Sequence, residues 1–112
     1  MNKKLAIIGA GGHGKVVGEI ALLNRYKIID FFDDRVKKIK VFPFTVVDTL
    51  DYLKEHQKDY DDFFVAIGDN QIRNDKIAWL KKHKMNIVSL AHPKSTISKF
   101  SSLGIGTCVM AN

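Results

Sequence analysis

Leu5-Ala6-Ile7-Ile8 runs directly into Gly9-Ala10-Gly11-Gly12-His13-Gly14, and apolar residues then recur at helical spacing as Val16, Val17, Ile20, Ala21 and Leu23. No other stretch constrains the fold as much. A short continuous apolar run is the pattern of a parallel strand buried on both faces. The G-x-G-x-x-G glycines permit a tight turn, close approach of the backbone to a phosphate, and close packing of helix on strand. The helix that follows presents unpaired N–H groups and a partial positive charge at its start. Strand, glycine turn and helix together make the first part of a βαβ unit.

The rest of the chain continues that rhythm. Residues 26–32 are rich in Ile, Phe and Tyr, read as a second strand, and end at Asp33-Asp34. Residues 41–47 are apolar but contain Pro43, which predicts an edge strand or an extended loop. Asp48 is placed to cap a helix running to about Gln57. Phe63-Phe64-Val65-Ala66-Ile67 reads as another buried strand closed by Gly68. Ile72, Ile77 and Leu80 mark a second long helix to about Lys84, and residues 87–91 a further strand. Strands alternating with helices predict an α/β fold: a small Rossmann-like parallel sheet flanked by helices, with right-handed crossovers. After His92-Pro93 the pattern changes. Ile97, Leu103 and Val109 fall six residues apart among Ser, Gly and Thr, which is the period of a parallel β-helix; a Gly/Ser-rich tail with chance aliphatics is the alternative.

Composition narrows the function classes. At 112 residues, with 46% hydrophobic and 27% charged residues, the chain has room for one modest core. No apolar run approaches the ~20 residues of a membrane span. The single cysteine, Cys108, cannot form an internal disulfide, which fits a reducing, cytoplasmic setting, and packing is its expected role. The net charge of +6 is spread over lysines mixed with acids, without a basic helix carrying interleaved aromatics, so nucleic acid is not the expected partner. A basic chain does favour a small phosphorylated ligand. No metal-ligand cluster is visible.

The candidate ligand residues all follow strands. Asp33 lies nineteen residues past Gly14, where an acid can accept hydrogen bonds from a ribose, and Asp34 stands beside it. The bland alternative is a tight turn and a capped strand. Gly68-Asp69-Asn70 belongs on the same rim, with Arg73 one turn on, although Asp69-Asn70 serves equally well to cap the helix before Ile72. His13 is read as a ligand contact rather than a base, because no second group is paired with it. His56 and His83 read as solvated and His92 as structural. These residues also suit a NAD-binding module of an oxidoreductase or a redox sensor, the second reading of the site.

Taken together, Ile8-Gly9-Ala10-Gly11-Gly12-His13-Gly14-Lys15, Phe32-Asp33-Asp34, Val65-Ala66-Ile67-Gly68-Asp69-Asn70 with Arg73, His92-Pro93 and Ile97-Ser98 resemble the sugar acyltransferases of the sialic acid O-acetyltransferase and bacillosamine N-acetyltransferase type. The resemblance covers essentially the whole chain. It implies a nucleotide-sugar-binding domain over residues 1–91, then a linker and the truncated first coil of a left-handed β-helix over 92–112. It further implies a UDP-amino-sugar substrate, acetyl-CoA bound between subunits of a homotrimer, and a catalytic histidine in the β-helix with no counterpart here. The chain alone is expected to bind without catalysing, and to be monomeric. Substrate contacts are expected from Gly11, Gly12, His13 and Gly14, the uridine at Asp33 and Asp34, and the same pocket lined by Gly68, Asn70 and Arg73.

Overall fold

Lys4–Ile8 (β1) is the central strand because both of its faces are apolar, and each face is covered by a different helical layer. In the computed structural model, which describes residues 3–10, 14–34, 45–91 and 108–109, Leu5 and Ile7 pack with Val17, Ile20 and Ala21 of α1 (Gly14–Leu23). Ala6 and Ile8 face the other way, onto Leu53 of α2 (Leu50–Glu55) and Leu80 of α3 (Asn70–Lys82). This two-residue alternation builds a three-layer α/β/α core.

The strands β2 (Ile28–Phe32), β3 (Thr45–Asp48) and β4 (Asp62–Val65) complete a parallel sheet of order β3-β2-β1-β4. The chain moves outward from β1 to β2 and β3, then returns to the opposite side of β1 for β4. The Rossmann-like expectation holds in this four-stranded form; of the segment 41–47 read as an edge strand or extended loop, 41–44 with Pro43 lie outside the described residues, and the remainder belongs to the edge strand β3. Beside Phe31 and Phe32 the register of β3 shifts, so that Phe31 faces Val46 and Phe32 faces Asp48. Val47 is the extra residue at this irregularity.

Several expectations need adjustment. Residues 87–91 do not form a fifth strand of the sheet. Ile87 makes one parallel bridge to Phe63, and the chain then leaves β4. Leu90, 1% exposed, is drawn instead under α1, and β5 (Leu90–Ala91) pairs in parallel with β6 (Cys108–Val109). The cap of α2 is Thr49, whose hydroxyl accepts the Tyr52 N–H at 3.4 Å. Asp48 is still in strand β3, and its carboxylate receives the Thr49 N–H. The helix stops at Glu55, and a 3-10 turn over Gln57–Asp59 carries the chain on.

The N-terminal ends of the strands are closed by a buried polar network. Asp62 is 3% exposed; it accepts from the Tyr26 hydroxyl at 2.6 Å and the Asn86 amide at 2.7 Å, with Lys3 at 3.7 Å. Tyr60 donates to Asp30 at 2.6 Å. Burial, then the bond to its carboxylate partner, pushes each phenol well above its ordinary value.

Candidate functional site at the sheet switch point

The direction of chain travel reverses between β1 and β4, and in open α/β sheets the crevice outside the strand C-termini at such a point receives ligands. Here the crevice is bordered by Gly9-Ala10 after β1, Asp33-Asp34 after β2 and Ala66-Ile67-Gly68 after β4. Backbone bonds tie these segments together. The Ala66 N–H donates to the Ile8 carbonyl and the Gly9 N–H to the Phe32 carbonyl, each at 2.8 Å.

Gly9 has a φ of +99°, and a Cβ there would lie 2.8 Å from both the Ala66 carbonyl oxygen and Ile67 Cγ1. Only glycine meets both demands, a left-handed backbone and direct contact with the neighbouring strand end. Gly68 differs: a Cβ there would meet nothing within 4 Å, so the residue borders open space. Gly14 is buried as the first residue of α1, while Gly11, Gly12 and His13 lie outside the described residues.

Asp33 is buried, and its Oδ2 accepts the Ala10 N–H at 3.0 Å. Asp34 is exposed, and its Oδ1 accepts the Leu50 N–H at 3.2 Å, at the start of α2. Asp69 is the cap of α3, receiving the Ile72 N–H at 2.9 Å, so the capping alternative holds for that side chain. Asn70 is exposed in the first turn of α3, and Arg73 is half-buried one turn further on. α1 begins at this rim without an acid in its first turn, which leaves its partial positive charge directed at the crevice, whereas the start of α3 is covered by the Asp69 carboxylate.

Sequence reasoning passed over the Ala10 and Leu50 amides, the groups that the two acids grip. The signal available was the strand alternation of Phe31 and Phe32, carried on two residues. His56 and His83 are half-buried helix caps rather than solvated groups. His56 stacks on Tyr52 with centroids 3.9 Å apart, and His83 packs edge-on to Trp79 at 5.1 Å. Among the described residues no group of His, Cys, Asp and Glu could hold a metal ion, and no helix is long and apolar enough to cross a membrane.

Comparison with known proteins agrees with the resemblance read from the motifs. The PglD N-terminal domain family matches residues 4–80. The UDP-N-acetylbacillosamine N-acetyltransferase of Bacillus subtilis (strain 168) is 30% identical over 112 residues, covering 97% of this chain and 52% of that protein. The acetyltransferase domain of PglB from Neisseria gonorrhoeae FA1090, solved with acetyl coenzyme A, superposes with a TM-score of 0.88 at 39% identity, covering 99% of this chain and 54% of that one. PerB from Caulobacter crescentus, solved with CoA and GDP-perosamine, gives 0.85 at 31%, covering 96% and 51%. The chain thus spans about half the length of the relatives it matches. With the family match extending from β1 into α3, this chain belongs to the PglD N-terminal domain family.

Proposed function

We propose that this chain is the nucleotide-sugar-binding domain of an acetyl-CoA-dependent sugar acetyltransferase. The observation that carries the reading is the convergence of the α1 N-terminus, an exposed acid and an open glycine at one switch point, in a chain similar throughout to a protein solved with CoA and a GDP-sugar. The diphosphate lies at the glycine loop, Gly11 to Gly14 with His13, where backbone N–H groups and the α1 dipole favour negative charge. The nucleoside lies beside the acidic pair. Gly68 lets the ligand approach β4, and Asn70 and Arg73 add polar contacts from α3. The relatives include enzymes named for a UDP-sugar and for a GDP-sugar. The class proposed is therefore a nucleoside-diphosphate amino sugar, with UDP the first probe.

The acetyl step is assigned to a left-handed β-helix. There the sugar amine or hydroxyl attacks the thioester carbonyl, a β-helix histidine takes the acceptor's proton, and the carbon–sulfur bond breaks as that proton passes to the sulfur, so that coenzyme A leaves as the thiol. Residues 92–112 begin that β-helix in this reading, and its first rung is β5. Leu90 pairs with Cys108 and Ala91 with Val109, an offset of 18 residues, which is three hexapeptides. Ala91 thereby joins Ile97, Leu103 and Val109 in one six-residue series. Assembly into a trimer and a cytoplasmic setting, where acetyl-CoA is available, belong to the same proposal.

Titration of the 15N-labelled chain with UDP, GDP and NAD tests the reading. Shifts of the Gly68 and Asn70 amides with a uridine or guanosine nucleotide are expected. Tight NAD binding without a response to either nucleotide would replace it with the oxidoreductase reading. The chain alone should transfer no acetyl group, and turnover with acetyl-CoA would show that its own residues do more than bind.

A further inference from the structure

Asp33 and Asp34 are neighbours in sequence but occupy opposite sides of the sheet. Phe31 belongs to the α1 face and Phe32 to the α2/α3 face. The alternation continues past the strand: Asp33 reaches Ala10, where the chain leaves β1 toward α1, and Asp34 reaches Leu50 at the start of α2. Asp33 is 7% exposed, and its own N–H donates to the Asp48 carbonyl at 3.1 Å. Two successive amides at the exit of β1, those of Gly9 and Ala10, are therefore held by two successive residues, Phe32 and Asp33. A carboxylate receiving a buried backbone N–H makes a charge-assisted bond, stronger than a carbonyl would make. A buried negative charge beside a diphosphate site suits a group that organises the protein, whereas the exposed acid is the one a ligand can reach.

We propose that Asp33 is a positioning residue that acts on the ligand through the Ala10 peptide, fixing how the glycine loop departs from β1, and that Asp34 is the acid that meets the nucleotide. The first half stands on the fold by itself; the second rests on the nucleotide reading above.

The test measures hydrogen exchange at the Ala10 amide in the full 112-residue chain without ligand, then affinity for UDP and GDP. Asp33→Ala should speed Ala10 exchange about tenfold or more relative to Ile7, and weaken nucleotide binding by about tenfold, as expected when a buried amide loses its charged partner. Asp33→Asn keeps an acceptor of the same reach and shape. It should bring both readouts back from the Asp33→Ala values toward wild type, short of full recovery because the charge is lost. Asp34→Ala should leave Ala10 unchanged and weaken binding about tenfold. The proposal is overturned if Ala10 exchange is unmoved in Asp33→Ala. It is equally overturned if Asp33→Asn binds as poorly as Asp33→Ala while Ala10 stays protected, because the charge would then be contacting the ligand directly. If wild type binds neither UDP nor GDP, the nucleotide reading fails, and Ala10 exchange alone decides whether Asp33 positions the loop.

Discussion

Gly9→Ala should destabilise the fold, and the structure gives the size of the effect. The added Cβ would sit 2.8 Å from the Ala66 carbonyl oxygen and from Ile67 Cγ1, with the Ala66 carbonyl carbon at 3.3 Å. Ile67 Cγ1 belongs to a side chain that can rotate. The Ala66 carbonyl is backbone, and its residue is tied to Ile8 by a 2.8 Å hydrogen bond, so relief there pulls β4 away from β1. Holding an L-residue at a φ of +99° adds about 1–2 kcal/mol. Overpacking against a fixed neighbour adds about 1–3 kcal/mol. The stiffer unfolded chain offsets about 0.4–1 kcal/mol. The net cost is about 1–5 kcal/mol, which for a domain of this size lowers Tm by roughly 5–25 °C. Urea unfolding followed through Trp79, the single tryptophan, half-buried on α3, measures it directly. Gly68→Ala is the control: its Cβ meets nothing within 4 Å, and stability should stay within about 0.5 kcal/mol of wild type. A Gly9→Ala midpoint indistinguishable from that of Gly68→Ala would refute the reasoning. If the crevice binds nucleotide as proposed, Gly68→Ala should weaken binding while leaving stability alone, the reverse of a packing glycine.

Three further outcomes follow from local geometry. Thr49→Ala removes the α2 cap and should cost about 1 kcal/mol in denaturant unfolding; a smaller loss than that from Asp48→Ala would return the cap to Asp48. Lys84 ends α3 in the left-handed region with a φ of 59°, in a Schellman arrangement in which Met85 N–H reaches the Leu80 carbonyl at 3.0 Å, so Lys84→Gly should stabilise by about 0.5–1 kcal/mol in the same assay. Tyr26 and Tyr60 are held neutral, first by burial and then by donation to Asp62 and Asp30, so their folded-state phenols ionise at higher pH than in the unfolded chain. Their contribution is full below about pH 10 and is lost as pH rises through the folded value, so stability should decline in strong alkali, and less steeply in Tyr26→Phe, whose neutral stability falls by about 1–3 kcal/mol.

How much of this was legible from sequence depended on whether the deciding physics was local. The apolar run of β1 and the helical spacing after Gly14 are short-range signals, and they survive in the structure with small changes at the ends. Pro43, whose missing donor predicted an edge strand, lies outside the described residues, and β3 just after it stands at the edge of the sheet. The ends of α2 were less legible, because Asp48 and Thr49 are both good caps, and the choice between them follows from the bulge that keeps Asp48 in β3. The fate of residues 87–91 was not legible locally at all. Their apolar character is equally satisfied by the edge of β4 or by the underside of α1. The pairing of Leu90 with Cys108, far along the chain, accompanies the second arrangement.

The acidic pair shows where a motif stops and a structure begins. Two adjacent aspartates after a strand are chemically identical on paper, and the Rossmann pattern treats either as the ribose acid. Parity separates them. A strand sends successive side chains to opposite faces, and here those faces lead to different destinations, the α1 side with the glycine loop and the α2 side with solvent beyond it. A carboxylate turned toward the loop finds a backbone amide 3.0 Å away and becomes part of the fold. Its neighbour, turned outward, keeps its exposure and receives the Leu50 N–H at the start of α2. The same chemistry one residue apart thus divides into a buried group that ties the exit of β1 to β2 and an exposed group that ties the end of β2 to α2.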